Sequence, residues 1–130
     1  MASSVTTSER PVVLVVDDEP IALAMLQRTL EPHYHVLTAR DGLEALNIIE
    51  AWGPAIRVVV TDVRMPRLSG PALAAHLARL DRSPAILFVS GFTDADVPGD
   101  VLAKPFSPDA LLGAVSRLLE SQNLKASRSD

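Results

Sequence analysis

Asp62 closes an apolar run, Ile56-Arg57-Val58-Val59-Val60-Thr61, and Val63-Arg64-Met65-Pro66 follows it. A second apolar run, Val12 to Val16, ends in Asp17-Asp18-Glu19-Pro20. A third, Ala85 to Val89, ends in Ser90-Gly91; a short fourth, Val101 to Ala103, ends in Lys104-Pro105-Phe106. If these runs are parallel strands, their C-terminal ends share one edge of a sheet. Open α/β sheets bind ligands at that edge, where the strand order reverses. Asp17, Asp18 and Asp62 would then converge. Clustered carboxylates repel one another and attract a hard cation. An all-oxygen donor set with few protein ligands suits magnesium, which keeps several waters and shares phosphate oxygens. A carboxylate can also act as a nucleophile and form an acyl phosphate. Asp62, on the middle strand, is the best placed for that role. Phosphoryl transfer needs positioning and charge neutralisation. Lys104 would supply a counter-charge, and the Ser90 hydroxyl a hydrogen bond to a phosphoryl oxygen.

Each residue has a plainer explanation when taken alone. Asp17-Asp18 could complement the start of a helix, and Asp62 could form an Asx-turn. Ser90 could be a turn former before Gly91, and Lys104 a solvated surface lysine. These explanations fail jointly, because four accidents would have to fall on one sheet edge.

The elements that must position these groups are legible from periodicity. Val12–Val16 has the continuous apolar character of a strand buried on both faces. Pro20 suits the first turn of a helix. Ile21, Leu23, Ala24, Met25, Leu26 and Leu30 form its stripe, to about Glu31. Tyr34 to Thr38 is predicted as a second strand. Asp41 is the predicted N-cap of a helix from Gly42 to about Trp52, ended by Gly53-Pro54. Ile56 to Thr61 is the third strand. Gly70-Pro71 opens a helix with Leu73, Ala74, Leu77 and Leu80 inward. Ala85 to Val89 and Val101 to Ala103 are the fourth and fifth strands. Ser107-Pro108 caps a last helix carrying Leu111, Leu112, Val115, Leu118 and Leu119. The alternation predicts a parallel sheet with helices on both faces. Only Gly91 to Asp100 breaks it. That segment holds two Gly, one Pro and three Asp, which predicts a loop or at most one helical turn.

The chain has 130 residues, which suits one domain. The reading is a disordered tail over 1–10, a domain over 11–120 and a disordered polar tail over 121–130. Apolar residues make up 48% of the chain, enough for a core, and aliphatic side chains must build it because aromatics are only 4%. A formal charge of -4 argues against direct nucleic-acid binding. No run is long enough to span a bilayer, and the polar N-terminus lacks a signal-peptide core. With no cysteine, thiol and zinc-thiolate chemistry is excluded. The expected setting is cytoplasmic, without membrane insertion.

The ordered set V-V-D-D-E-P (Val15 to Pro20), T-D-V-R-M-P (Thr61 to Pro66), Gly70, Ser90-Gly91 and K-P-F (Lys104 to Phe106) resembles the receiver domain of two-component response regulators. The resemblance covers about Pro11 to Glu120. It implies a flavodoxin-like, doubly wound five-stranded sheet in the order 2-1-3-4-5. It implies that Asp62 is the phosphoacceptor and that Asp17 and Asp18 hold Mg2+ with it. The Arg64 backbone carbonyl would be a further metal ligand. Ser90 and Lys104 would attend the phosphoryl group, and the Lys104-Pro105 bond would be cis. A histidine kinase or histidine phosphotransfer protein would be the donor. The protein would accept and lose its own phosphoryl group rather than turn over external substrates.

Two departures from the family stand out. Val101 replaces the usual Tyr or Phe three residues before the lysine. The stretch from Ser90 to Lys104 is shorter than usual, so the fourth helix of the family should be reduced or absent. Output is therefore expected through ordering of the Gly91–Asp100 loop, in a monomer or in a weak dimer through the first helix. Only about ten residues follow the predicted last helix, so the expectation is a stand-alone receiver or one excised from a hybrid histidine kinase. Two other classes fit the residues less well. A haloacid dehalogenase-like phosphohydrolase needs a second Asp two residues after its nucleophile, and position 64 is Arg. A non-phosphorylated interaction module would not need the full set of acidic pair, acceptor, hydroxyl and lysine.

Overall fold

The computed structural model describes residues 10–128 apart from 66, 92–96 and 98, with the backbone alone at 125–128. Five strands form one parallel sheet: β1 (Val12–Val16), β2 (His35–Ala39), β3 (Ile56–Asp62), β4 (Ala85–Ser90) and β5 (Asp100–Ala103). Their order is β2-β1-β3-β4-β5. The helices are α1 (Pro20–Leu30), α2 (Gly42–Trp52), α3 (Gly70–Leu77) and α4 (Pro108–Arg128). The order reverses between β1 and β3, so their C-terminal ends flank the switch point.

The two faces of β1 and β3 explain their unbroken apolar character. Val13, Val15, Val58 and Val60 pack with Leu26 and Leu30 of α1 and with Leu111, Val115 and Leu119 of α4. Leu14, Val16 and Val59 pack on the other face with Ala45 and Ile49 of α2 and with Leu73 and Leu77 of α3. Each fully buried aliphatic side chain contributes about 1.5–3 kcal/mol.

Local signals set the helix ends. The Asp41 carboxylate accepts a hydrogen bond from the Glu44 N–H at 2.8 Å, as predicted for an N-cap. The Ser107 hydroxyl does the same for Ala110 at 3.1 Å. Ser69 caps α3 by accepting from Ala72 at 3.2 Å, a cap the sequence analysis did not single out. Gly53 ends α2 with φ of 61°, where a Cβ would be strained.

Three expectations need correction. Leu80 does not face inward on the third helix: α3 ends at Leu77 and Leu80 is exposed. The Leu80 N–H bonds back to the Leu77 carbonyl at 3.0 Å in a turn that leaves the helical track. Of the expected α1 stripe, Ile21, Ala24 and Met25 lie on the exposed side, while Leu26 and Leu30 are buried. The last helix does not stop near Glu120, where the expected polar tail begins: α4 runs to Arg128. No Gly or Pro interrupts Ser121 to Arg128, and side chains beyond Glu120 are anchored. Arg57 hydrogen-bonds to Gln122 and Asn123, and Gln122 donates to the Ser83 carbonyl at 3.2 Å. Arg57 reaches them from an irregularity in β3: Val12 pairs with Ile56 and Val13 with Val58, so Arg57 is left over between them.

The predicted tail at Met1 to Ser8 and Glu9 lies outside the described residues. So does most of the predicted loop, at 92–96 and 98, together with its expected ordering on phosphorylation. The residues described there, Gly91, Val97 and Gly99, belong to no helix. The Lys104-Pro105 bond is cis, as the resemblance implied.

Candidate functional site

The strand ends bring the predicted groups to one edge. The Asp17 N–H bonds to the Ala39 carbonyl at 3.1 Å, carrying the β1–β2 ladder one residue beyond β1 and burying Asp17. Asp18, the next residue, lies beyond the ladder and is exposed. Asp62 is the last residue of β3 and is paired with Val89 of β4. The Lys104 N–H bonds to the Ser90 carbonyl at 2.8 Å, which sets Lys104 beside the end of β4. Ser90 is buried.

Carboxylate oxygens of Asp17, Asp18 and Asp62 lie within 4.8 Å of one another. The Lys104 ammonium is 3.9 Å from Asp17 Oδ2 and 3.8 Å from Asp62 Oδ2. Asp17 Oδ1 accepts from the Glu19 N–H at 2.9 Å. Asp17 Oδ2 is buried without a hydrogen-bond donor. Burial pushes the Asp17 carboxyl above its ordinary range; the Glu19 N–H opposes this, the Asp62 charge adds to it, Lys104 opposes it and the Asp18 charge adds to it. A buried anionic oxygen with no donor, facing two more carboxylates, fits a hard divalent cation. The donor set is all oxygen, which favours magnesium over metals that prefer nitrogen or sulfur.

Asp62 Oδ1 accepts from the Arg64 N–H at 3.4 Å, so the Asx-turn considered for this residue forms beside the cluster. Arg64 itself is exposed.

What supports the loop after Asp62 is not legible in the sequence. A Cβ on Gly42 would lie 2.6 Å from Leu68 Cβ, so the start of α2 and this loop touch through a glycine. A Cβ on Gly70 would strike the Asp62 carbonyl. Arg67, with φ of 71°, pairs with Asp41 Oδ2 at 3.5 Å. Glycine after a capping Asp was legible as a helix start, but its contact across the fold was not.

A family model for the response regulator receiver domain matches residues 13–116. Among curated proteins, the chain is 33% identical over 120 residues to sensor kinase CckA of Brucella abortus, covering 86% of this chain and 13% of that protein. It is 36% identical over 115 residues to the probable transcriptional regulator ycf27 of Cyanophora paradoxa, covering 82% of this chain and 47% of that one. The chain spans only 13%, 8% and 26% of the lengths of three such relatives. Among solved structures, a receiver domain protein from Clostridium thermocellum superposes with a TM-score of 0.81 at 29% identity, covering 87% of this chain and 97% of that one. The receiver domain of the hybrid histidine kinase CckA gives 0.74 at 31% identity, covering 83% and 98%. Sheet order, acidic edge and these similarities agree: the chain belongs to the response regulator receiver domain family and has a phosphoacceptor role in signalling.

Proposed function

We propose that Asp62 is the phosphoacceptor, that Asp17, Asp18 and Asp62 hold Mg2+ together with the Arg64 carbonyl, and that Lys104 and Ser90 attend the transferred group. The observation that carries this is the cluster itself: three carboxylates within 4.8 Å at the switch point, with the Lys104 ammonium beside two of them. The donor is a phosphohistidine on a histidine kinase or phosphotransfer protein, supported by the kinship with kinase-borne receivers. An Asp62 oxygen attacks phosphorus; the O–P bond forms as the P–N bond breaks, and the electron pair leaves on the imidazole nitrogen. Bound magnesium would neutralise the charge on the phosphoryl oxygens. The Lys104 ammonium lies 3.8 Å from Asp62 Oδ2 and would pair with the phosphoryl oxygens, and the Ser90 hydroxyl, at the end of β4, would donate to one of them. The phosphoryl group is later lost to water, so the protein is a switch.

The test is labelling with acetyl phosphate and magnesium, read by intact mass. The wild type should gain one phosphoryl group and Asp62→Asn none, because the amide is nearly isosteric but is not an anionic nucleophile. Stoichiometric labelling of the folded Asn variant would refute the assignment.

A further inference from the structure

Thr61 is a wholly buried polar residue near the C-terminal end of β3; Val58, Val59 and Val60 before it are equally buried. A valine would fill the same space without a hydroxyl to satisfy, and burying a hydroxyl is costly unless it is hydrogen-bonded. This hydroxyl donates to the backbone carbonyl of Asp62 at 3.0 Å, with the Met65 sulfur as a second, longer acceptor at 3.9 Å. The same Asp62 carbonyl is pressed from another side by Gly70, where even a methyl group would collide with it. The Gly70 N–H in turn holds the Val63 carbonyl at 2.9 Å. The peptide leaving Asp62 is therefore clamped just where the chain leaves the sheet. This peptide starts the turn in which the Arg64 N–H bonds to the Asp62 carboxylate.

We propose that Thr61 is a positioning residue for phosphoryl transfer: its buried hydroxyl fixes the Asp62–Val63 peptide and so the acceptor carboxylate and the Arg64 carbonyl. The inference rests on the function proposed above. Deviations from local apolar patterning concentrate at functional sites, and this one sits one residue from the acceptor.

The test compares Thr61→Val, which keeps shape and loses the hydroxyl, with Thr61→Ser, which keeps the hydroxyl. Thr61→Ala replaces the Val variant if the latter does not fold. In metal-free protein the Arg64 and Met65 amides should exchange several-fold faster in Thr61→Val than in wild type. Magnesium affinity, by calorimetry, and the acetyl-phosphate labelling rate should each fall about tenfold. The melting temperature should stay level or rise, and Thr61→Ser should restore exchange, affinity and rate. A merely structural role would lower the melting temperature and leave affinity and rate intact, which overturns the proposal. So does equal loss in the Ser and Val variants. If wild type labels at Asp62 but Thr61→Val matches it in all three measurements, this inference fails alone. If wild type neither binds magnesium nor labels, the proposed function falls and this inference with it.

Discussion

Asp17 makes a pH-dependent contribution to the stability of the metal-free protein. Its folded carboxyl holds a proton more tightly than the unfolded chain, whose ordinary value is 3.8. A raised value contributes stability below the unfolded value, and that contribution is lost as pH rises through the folded one. Once the pH is above the folded value, the charged Asp17 therefore weakens the metal-free fold. Asp17→Asn should raise the melting temperature in chelator by a few degrees at about pH 7, with the gain fading below about pH 4. With magnesium the order should reverse. Wild type gains about 1.4 kcal/mol at ten times its Kd, and the Asn variant gains little. Melts across pH with and without magnesium check both signs. Lys104 is the other decisive residue, with its ammonium near two of the three carboxylates. Lys104→Ala should still label with acetyl phosphate, on the order of a hundredfold more slowly. It should also lose most of the amide spectral change on phosphorylation, because a cation that favours one state over the other is what shifts a two-state equilibrium. Identical spectral changes in wild type and variant would contradict this.

Among the elements, the contact between α2 and the loop after Asp62 depends on Gly42. Gly42→Ala would place a methyl carbon 2.6 Å from Leu68 Cβ and 2.7 Å from the Leu68 carbonyl oxygen. Overpacking of this kind costs roughly 1–3 kcal/mol. Chemical denaturation should report that loss, and magnesium affinity should fall with it as the loop moves. The other element with an unexpected extent is α4. Its 21 residues span about 31 Å, and the stretch past Leu119 is held by Arg57, Gln122 and Asn123. Removing 121–130 should cost about 1–2 kcal/mol through these lost hydrogen bonds. Arg57→Ala in the full chain should cost a similar amount, and little more in the shortened one. Additive losses in a double-mutant cycle would show that Arg57 does not act through the helix.

At the scale of the molecule, no helix among the described residues is long and apolar enough to cross a membrane. Ile21 and Met25, 73% and 63% exposed, stand on α1 away from the core. Two side chains on one helix bury far less than the roughly 1,200 Å² of a stable interface. Light scattering with magnesium and a phosphoryl mimic should therefore give the mass of one chain in both states. A phosphorylation-dependent dimer that Leu112→Glu on α4 breaks would contradict this; one broken by Met25→Glu would place pairing on α1 instead.

The order of elements and the candidate site were legible because both follow from local patterns. Continuous apolar runs mark strands buried on both faces, and helical crossovers between parallel strands put every C-terminal strand end on one edge. Asp17, Asp18, Asp62, Ser90 and Lys104 could thus be assigned to that edge from their place after a run. Helix ends were less legible. Leu80 carries the right spacing but falls after a turn, and Ser121 to Arg128 carries no apolar stripe yet stays helical through anchors from β3. Tertiary structure alone decided how the acidic groups differ. Asp17 is buried with one oxygen lacking a donor, while its neighbour Asp18 is exposed. It also decided that Lys104 sits between two carboxylates, that Gly42 and Gly70 are glycines because other backbone presses on them, and that the Thr61 hydroxyl grips Asp62. Periodicity records which face of an element meets the core. Burial, charge distance and close backbone approach are set by residues far apart in the chain, and they exist only once the layers have packed.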